Sequence, residues 1–332
     1  MILAGDVGGT NTRLALFARD GSGHLKALSE RSYPSREHDS LESVVALFLK
    51  EEAGRPDGPA GPIEAASFGV AGPVRRGRSE TTNLPWVIDA QRVATLVGIR
   101  SAGLLNDLEA NAWGLDELGP SDLLLLGAGA PGAGGNSAII SAGTGLGEAG
   151  LFWDGRRHIP FASEGGHADF APRNDIEDEL LGYLRARFGR VSWERIVSGP
   201  GIASLYAFLR DTGRGQEPAW MAGEMAHGDP AAAITAAAQD GRCPMASLAL
   251  DLFVSLYGAE AGNLALKVMA TGGLYVGGGI APRIRERLQS GAFMEAFVSK
   301  GRMRTLMETM PVRVVLNSGT ALLGAARYAA GS

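Results

Sequence analysis

Carboxylate, amide and imidazole groups that could do chemistry occur in short stretches that are far apart in the sequence. Asn106-Asp107 follows a predicted strand, Ser101 to Leu105, and strand ends in α/β sheets point into clefts where ligands bind. Glu164-Gly165-Gly166-His167 places a carboxylate and an imidazole around two glycines, and Glu194 precedes the turn Ser198-Gly199-Pro200-Gly201. Such groups accept and donate several hydrogen bonds, which is what a polyhydroxylated substrate needs.

Each of these stretches also has a simpler interpretation. Asp107 could only cap the helix that follows it, Glu164 could be a solvated turn residue, and Glu194 could be a surface charge paired with Arg195. The sequence has no His-x-x-x-His pair and no dense carboxylate cluster, so these groups do not form a recognisable metal motif. A Gly-x-Ser-x-Gly nucleophile motif is also absent. The residue types alone therefore leave a binding site and ordinary surface turns both open.

Glycine-rich turns between apolar strands recur along the chain. Ile2 to Phe17 reads as a strand, a turn and a strand, and Ser137 to Phe152 repeats this arrangement. Glycine lets the backbone approach an anion closely and point its N–H groups at it. The predicted phosphate turns are Gly5, Asp6, Val7, Gly8, Gly9 and Thr10 in the first hairpin and Gly143, Thr144 and Gly145 in the second, and a third glycine turn is Gly277, Gly278 and Gly279. Together they indicate a nucleoside triphosphate, whose phosphoryl transfer would need one carboxylate as proton acceptor and Mg²⁺ on the phosphates.

Two common nucleotide-binding motifs can be set aside. Gly127 to Gly132 matches G-x-G-x-x-G after a strand, but Pro131 and further glycines up to Gly135 follow instead of a helix. A Rossmann site needs that helix, because its N-terminus meets the pyrophosphate. The Walker A pattern is absent from the sequence, so any nucleotide is held in another way.

The elements that must position these groups alternate between strand and helix. Residues 1–113 read as βββ-α-β-α-β-α, with Asp89 as the N-cap of the second helix. The pattern partly repeats further on, before a largely helical region over 174–270. A strand over 312–316 and a helix over 320–329 follow. This order predicts two α/β domains of common plan with a cleft between them, where ligands commonly bind.

Composition limits the classes of protein that the chain can belong to. Its 332 residues are enough for two domains, and the net charge of −5 gives no reason to expect a nucleic-acid or membrane partner. Cys243 is the single cysteine, which excludes an intrachain disulfide and a thiolate metal cluster and favours the cytoplasm. Asp6 interrupts the N-terminal apolar run and no basic segment precedes it, so no signal peptide is predicted.

In their order along the chain, the motifs resemble the bacterial glucokinases of the non-ROK group, within the hexokinase, actin and Hsp70-like ATPase superfamily. The motifs that match are spread over nearly the whole chain: Gly5 to Asn11, Leu105 to Asp107, Gly143 to Gly147, Glu164 to Pro172, Val191 to Arg195, Ser198 to Gly201 and Gly277 to Arg283. The resemblance implies a ribonuclease H-like, actin-like fold with two related α/β domains that flank a cleft. It also implies a small domain of residues 1–112 and 317–332 and a larger domain of residues 113–316.

The activity that the resemblance implies is ATP-dependent phosphorylation of the glucose 6-hydroxyl with Mg²⁺, the first step of glycolysis. Asp107 would be the catalytic base, which agrees with the need of a poor hydroxyl nucleophile for a positioned carboxylate. Asn106, Asp107, Glu164, His167 and Glu194 would bind the sugar. ATP would contact the three glycine turns. Asp6 would position Mg²⁺ directly or through water, unless its role is purely structural.

The resemblance leaves several alternatives open. The single cysteine cannot build the Cys-rich zinc motif of the neighbouring ROK sugar kinases. The sugar could instead be mannose, fructose or glucosamine, and the phosphoryl donor could be ADP or polyphosphate. A non-catalytic sugar sensor on the same fold is disfavoured, because the proposed base, the phosphate turns and the sugar-binding set are all present. A homodimer is expected from the family.

Overall fold

The computed structural model describes residues 1–21, 24–56, 58, 61–81 and 84–331. Its internal contacts divide the chain into two compact units. The first contains Met1–Asp122, Ile159–Ala162 and Asn317–Ser332, and the second contains Leu123–His158 and Ser163–Leu316. The domain limits predicted from the sequence place residues 113–122 and 159–162 in the larger domain instead, and those limits stay a prediction.

The strands of the described residues are β1 (Ile2–Val7), β2 (Asn11–Arg19), β3 (Leu25–Pro34), β4 (Ala65–Val70), β5 (Arg78–Glu80), β6 (Val87–Asp89), β7 (Gly103–Asn106), β8 (Leu123–Gly127), β9 (Ser137–Ala142), β10 (Leu146–Trp153), β11 (His158–Ser163), β12 (Gly273–Gly277) and β13 (Val312–Val315). The α-helices are α1 (Leu41–Ala53), α2 (Ala90–Val97), α3 (Asp107–Gly114), α4 (Asp175–Phe188), α5 (Gly199–Asp211), α6 (Ala219–Ala226), α7 (Pro230–Gln239), α8 (Pro244–Val268), α9 (Arg285–Leu288), α10 (Ala292–Val298), α11 (Arg304–Glu308) and α12 (Thr320–Gly331).

The main sheet of the first unit has the order β3-β2-β1-β4-β7. β1 is antiparallel to β2 and parallel to β4, and β4 is parallel to β7. The register places Val7 beside Val70 and Val70 beside Asn106, so the carboxyl ends of β1 and β7 lie at the same edge of the sheet. With strands about 4.8 Å apart, these two ends are separated by about 10 Å. The first glycine turn and Asp107 are therefore neighbours at this edge.

Helices cover both faces of this sheet, because its strands bury side chains on both sides. Leu3 and Val7 of β1 pack in a cluster with Val44 and Phe48 of α1. Ile2, Ala4, Ala15 and Phe17 point to the opposite face, where they pack against Leu322, Ala325, Ala326 and Ala329 of α12. The predicted βββ-α-β-α-β-α order is confirmed, with the short β5–β6 hairpin added. α2 begins after the predicted cap, since Asp89 Oδ1 accepts a hydrogen bond from the Gln91 N–H at 2.9 Å.

The strands that lie wholly within the second unit have the order β10-β9-β12-β13-β8. β9 is antiparallel to β10 and parallel to β12, and β12 is parallel to β13. α8 is buried along most of its length and packs against this sheet within one large apolar cluster. Among the described residues, none of the helices combines the length and the apolar character that crossing a membrane requires.

Candidate active site

Asp107 is the first residue of α3, directly after the parallel strand β7. The N-cap is Asn106, whose Oδ1 accepts from the Leu108 N–H at 2.9 Å and whose Nδ2 donates to Gly72 O at 3.2 Å. Asp107 Oδ1 also accepts from the Leu108 N–H at 3.0 Å, and the residue is half-buried. A helix N-terminus favours negative charge, so this position suits an ionised carboxylate. Asn106 therefore supplies the cap, and Asp107 is not needed for capping alone.

The first glycine turn closes between β1 and β2 at the same sheet edge. The Gly8 N–H donates to Asn11 O at 3.0 Å, and Ser35 supports the turn from behind through its N–H to Thr10 O at 2.8 Å and its Oγ to Gly8 O at 2.7 Å. Thr10 is exposed, and Gly8 and Gly9 are half-buried. Gly5 and Val7 lie buried within β1, so only the last part of the predicted set is open to a ligand.

Asp6 is half-buried on β1, opposite Arg13 in the sheet register. Burial raises the pKa of Asp6, and the charge of Arg13 acts in the opposite direction. The described residues contain no group of three or more metal ligands that could form a complete cage. Mg²⁺ needs only one or two protein carboxylates when it also binds the phosphates of a nucleotide. A desolvated carboxylate such as Asp6 fits that role, because a cation would offset the cost of its burial.

The second and third glycine turns pack directly against each other in the second unit. Gly278 has a φ of +84°, and a Cβ atom there would overlap Ala142 O. The Ile280 N–H donates to the same Ala142 O at 3.3 Å. Within the second turn, the Gly143 N–H donates to Gly145 O at 2.8 Å. Thr144 of the second turn and Gly278 and Gly279 of the third turn are exposed, so both turns present backbone groups to solvent.

A cavity of about 1320 Å³ opens beside these turns. Gly143, Thr144 and Gly279 line it, so one cavity contacts two segments that the sequence assigned to ATP.

Helices α5 and α7 form further walls of this cavity, and Arg187, Arg195, Arg210 and Arg283 contribute positive charge. Arg187 and Arg195 both stack on the Phe188 ring, with their Cζ atoms 5.1 and 4.5 Å from its centroid. This combination of glycine backbone, apolar wall and guanidinium groups suits a nucleotide.

The predicted sugar-binding residues of the second unit come together in space. His167 Nε2 lies 4.0 Å from Glu164 Oε2, and His167 Nδ1 lies 3.8 Å from Glu194 Oε1. Glu194 Oε2 accepts a hydrogen bond from the Leu146 N–H at 3.0 Å, directly after the second glycine turn. Glu194 is therefore fixed by backbone, while Glu164 and His167 are exposed. These carboxylates and the imidazole offer several hydrogen-bonding atoms to one polar ligand.

A buried carboxyl pair that the sequence patterns did not predict lies behind this cluster. Glu148 on β10 and Glu260 on α8 are 1% and 0% exposed. Burial, with a further contribution from the charge of Glu260, raises the pKa of Glu148 to about 8. A Cβ atom on Gly165 would overlap Glu148 Oε2, so the pair lies directly beneath the loop that carries Glu164 and His167. A carboxylate in an otherwise apolar strand, Leu146 to Phe152, is the sequence signal for the burial of Glu148 alone.

The part of the cavity wall that α7 and its N-cap form was not predicted from the sequence either. Asp229, Pro230, Ala231, Thr235 and Gln239 all line the cavity. The sequence around them is rich in alanine and carries no recognisable chemical motif. The Asp229-Pro230 pair could have indicated only the start of a helix, because Asp229 is the N-cap of α7 and Pro230 is its first residue.

Comparisons with known proteins identify relatives of the whole chain. A model of the glucokinase family matches residues 3–332. A curated glucokinase from a Nostoc species is 43% identical over 99% of this chain and 99% of its own. The crystal structure of a glucokinase from an Antarctic psychrotroph is 32% identical, covers 100% of this chain and 99% of its own, and superposes with a TM-score of 0.86.

A ROK-family glucokinase from Streptomyces griseus, solved in complex with glucose and AMPPNP, shares the fold more distantly. It is 22% identical, covers 100% of this chain and 99% of its own, and has a TM-score of 0.63. The fold and the full-length relatives thus define a sugar kinase of the actin-like ATPase type. The glycine turns, the Asn106-Asp107 pair and the full-length match then narrow the assignment: the chain belongs to the glucokinase family. The family, the fold class and the kinase activity predicted from the sequence are confirmed.

Proposed function

We propose that the chain transfers the γ-phosphoryl group of ATP to the 6-hydroxyl of D-glucose, giving glucose 6-phosphate and ADP, the first step of glycolysis. The observation that carries this proposal is membership of the glucokinase family over residues 3–332. The placement of Asp107 at the same sheet edge as the turn Gly8 to Thr10 supports it. A carboxylate and a phosphate turn at one edge are what phosphoryl transfer to a hydroxyl requires.

Asp107 is the catalytic base in this proposal. The glucose 6-hydroxyl oxygen forms a bond to the γ-phosphorus, the bond from that phosphorus to the bridging oxygen of ADP breaks, and the hydroxyl proton passes to the Asp107 carboxylate. Asp107 is the first residue of α3, and a helix N-terminus favours a negatively charged group. Asn106 is held at the same place by its own capping hydrogen bond and donates to the sugar or to the loop at Gly72.

Asn106, Asp107, Glu164, His167 and Glu194 bind the sugar hydroxyls. Glu194 is the most firmly positioned carboxylate of the second unit's cluster, because the Leu146 N–H and its own helical turn fix it. A carboxylate bonded to a sugar hydroxyl discriminates between hexoses, since a missing partner leaves a desolvated charge without compensation. The choice of glucose over mannose, fructose or glucosamine rests on these contacts.

The three glycine turns hold ATP. In the second unit, Gly143, Thr144 and Gly145 form the turn that contacts the phosphates, with the Gly143 N–H closing the turn onto Gly145 O. Gly277, Gly278 and Gly279 lie near the adenosine. The common cavity of Gly143, Thr144 and Gly279 supports this assignment. In the first unit, Gly5 to Thr10 contact the phosphates, chiefly through Gly8, Gly9 and Thr10, because Thr10 is exposed and the two glycines are less buried than Gly5 and Val7.

Mg²⁺ belongs to this proposal as the partner of the ATP phosphates. When bound, it neutralises negative charge on the transferring phosphoryl group. Asp6 would hold it directly or through water, and the raised pKa that burial gives this carboxyl fits a position where a cation is expected.

A coupled assay with ATP and a panel of hexoses tests the proposal. We expect glucose to give the highest kcat/KM, and Asp107→Asn to lower kcat by at least about 100-fold, the lower range of general-base effects. ADP binding, measured by titration calorimetry, should be unchanged in this variant. Near-normal turnover by Asp107→Asn, or no turnover with any hexose in the unmodified protein, would contradict it.

The homodimer and the cytoplasmic location belong to the same proposal. Multi-angle light scattering on the purified protein distinguishes the oligomeric states, because a monomer has a mass of 34.5 kDa and a dimer has twice that mass.

A further inference from the structure

One buried side-chain hydroxyl lies at the carboxyl ends of β9 and β12, the strands that precede the second and third glycine turns. Tyr257 is on α8 and is fully buried. Its hydroxyl accepts a hydrogen bond from the Ala142 N–H at 3.1 Å. It also lies 3.2 Å from Ile140 O and 3.3 Å from Gly277 O, the two carbonyls to which it can donate. The hydroxyl thus connects the carboxyl ends of β9 and β12 through their backbones.

The hydroxyl lies at the end of the pairing between β9 and β12. β9 and β12 pair in parallel register up to Ser141 and Gly277. Ala142 lies one residue beyond the last pair, and it is buried. The Ala142 N–H donates to the Tyr257 hydroxyl at this end of the paired strands, so the hydroxyl holds the backbone directly before the second glycine turn.

The backbone groups that the Tyr257 hydroxyl contacts lie at the start of both glycine turns. Gly143 follows Ala142, and Gly278 follows Gly277. The turns also meet at Ala142, whose carbonyl accepts from the Ile280 N–H at 3.3 Å and lies against Gly278. A displacement of Ala142 would therefore move both turns and change the distance between them.

We propose that Tyr257 is a positioning residue for the nucleotide, and that its hydroxyl sets the spacing between the phosphate turn Gly143–Gly145 and the turn Gly277–Gly279. The inference rests on the proposed function, because it takes these two turns as the ATP site. A nucleotide bound at both turns needs that spacing to be fixed in advance, since ordering the turns at the moment of binding would weaken affinity.

Tyr257→Phe removes only the hydroxyl. The aromatic packing stays, because Phe253 and Phe293 contact the ring edge to face, with centroid distances of 5.7 and 5.6 Å. We expect the Kd for ADP, measured by titration calorimetry, and the KM for ATP to rise about tenfold, which corresponds to the loss of one well-placed hydrogen bond. The Kd and KM for glucose should be unchanged.

Tyr206→Phe is the matched control. Tyr206 is 1% exposed in the same unit, and its hydroxyl faces Cys243 and Glu217 rather than the glycine turns. It should leave ADP binding unchanged even where the melting temperature falls. Phe253→Leu disturbs the packing around the Tyr257 ring but keeps the hydroxyl, so it too should leave the Kd for ADP within about twofold of the unmodified protein.

Equal ADP affinity in Tyr257→Phe and the unmodified protein would overturn the inference, and so would an equal loss of glucose and ADP affinity. Absence of ADP binding in the unmodified protein would instead overturn the proposed function. If Tyr257→Phe does not fold, amide hydrogen exchange on the unmodified protein tests whether the two segments are linked. Protection of residues 139–145 and 276–281 should rise together when ADP is added, and protection of only one segment would contradict a shared link.

Discussion

The Glu194 side chain contacts both the second glycine turn and the predicted sugar-binding residues. Its Oε2 accepts the Leu146 N–H, its Oε1 lies 3.8 Å from His167 Nδ1, and a Cβ atom on Gly145 would overlap its carboxylate. The same residue therefore touches the second glycine turn and the predicted sugar cluster. Its surroundings make it the carboxylate whose charge should matter most for the sugar.

Glu194→Gln should raise the KM for glucose about 10- to 100-fold, because hydrogen bonds to a charged group contribute about 1.5–3 kcal/mol. The KM for ATP should change by less than about threefold. Steady-state kinetics with each substrate varied in turn measure both values. Asp169→Asn is the control, since Asp169 is a nearby carboxylate that pairs with Arg190 and lies outside the cluster. A glucose KM that is unchanged in Glu194→Gln would show that this carboxylate does not bind the sugar.

The buried Glu148 predicts how stability depends on pH. Its pKa is raised from the ordinary value of 4.5 to about 8 by burial and by Glu260, so the folded state holds a proton that the unfolded chain releases. The free energy of unfolding therefore falls as pH rises from about 4.5 to about 8. Glu148→Gln keeps a neutral hydrogen-bonding group and removes the part of this dependence that Glu148 contributes.

The melting temperature of Glu148→Gln relative to the unmodified protein should accordingly increase by a few degrees between pH 5 and pH 8. Differential scanning fluorimetry across this pH range measures the difference. For Glu286→Gln, a change at an exposed helical position, the melting temperature relative to the unmodified protein should not depend on pH. A flat difference for Glu148→Gln as well would contradict a protonated Glu148 in the folded state.

At the scale of secondary structure, the glycine turns depend on backbone conformations that other residues avoid. Gly278→Ala would place a Cβ atom on Ala142 O at a φ of +84°, so we expect a loss of about 2 kcal/mol or more in the free energy of unfolding. ADP affinity should fall with it. Gly182→Ala is the control, because Gly182 lies in α4 with open space around its Cα and a helical alanine stabilises by about 0.5–1 kcal/mol. Chemical denaturation of both variants measures the contrast, and equal stability would refute the steric argument.

Local patterns carried most of the information about these elements. The alternation of apolar strands with glycine turns predicted β1, β2, β9 and β10, because side-chain period and turn chemistry are both local properties. The cap at Asp89 was predicted for the same reason. The segment over 174–270 was predicted only as largely helical, and it resolves into α4 to α8.

Features that depend on tertiary contact could not be predicted in this way. Glu148 and Glu260 are 112 positions apart, and nothing in either local sequence shows that the two carboxyl groups meet. Tyr257 reads as one more apolar position of a buried helix, because its hydrogen-bond partners lie 115 and 117 residues away. The roles assigned to the site residues likewise came from the family resemblance and stay predictions.

At the scale of the whole molecule, the first unit is built from segments at opposite ends of the sequence. α12 covers one face of the sheet that begins with β1, and Leu322 is 2% exposed in that contact. Leu322→Ala should lower the free energy of unfolding by about 2–5 kcal/mol, the range for buried leucine. Urea denaturation followed by tryptophan fluorescence measures the loss. A change below about 0.5 kcal/mol, typical of surface substitutions, would show that α12 contributes little to this core.

The same arrangement has a consequence for synthesis on the ribosome. Residues 123–158 and 163–316 contain the whole second unit and emerge before α12 does. That unit can therefore complete its core while the apolar face formed by Ile2, Ala4, Ala15 and Phe17 still lacks its cover. A nascent chain exposing such a face is a natural substrate for chaperones. In this protein the part that is translated first is finished last, and the time for which it needs protection is set by the length of chain that separates β1 from α12.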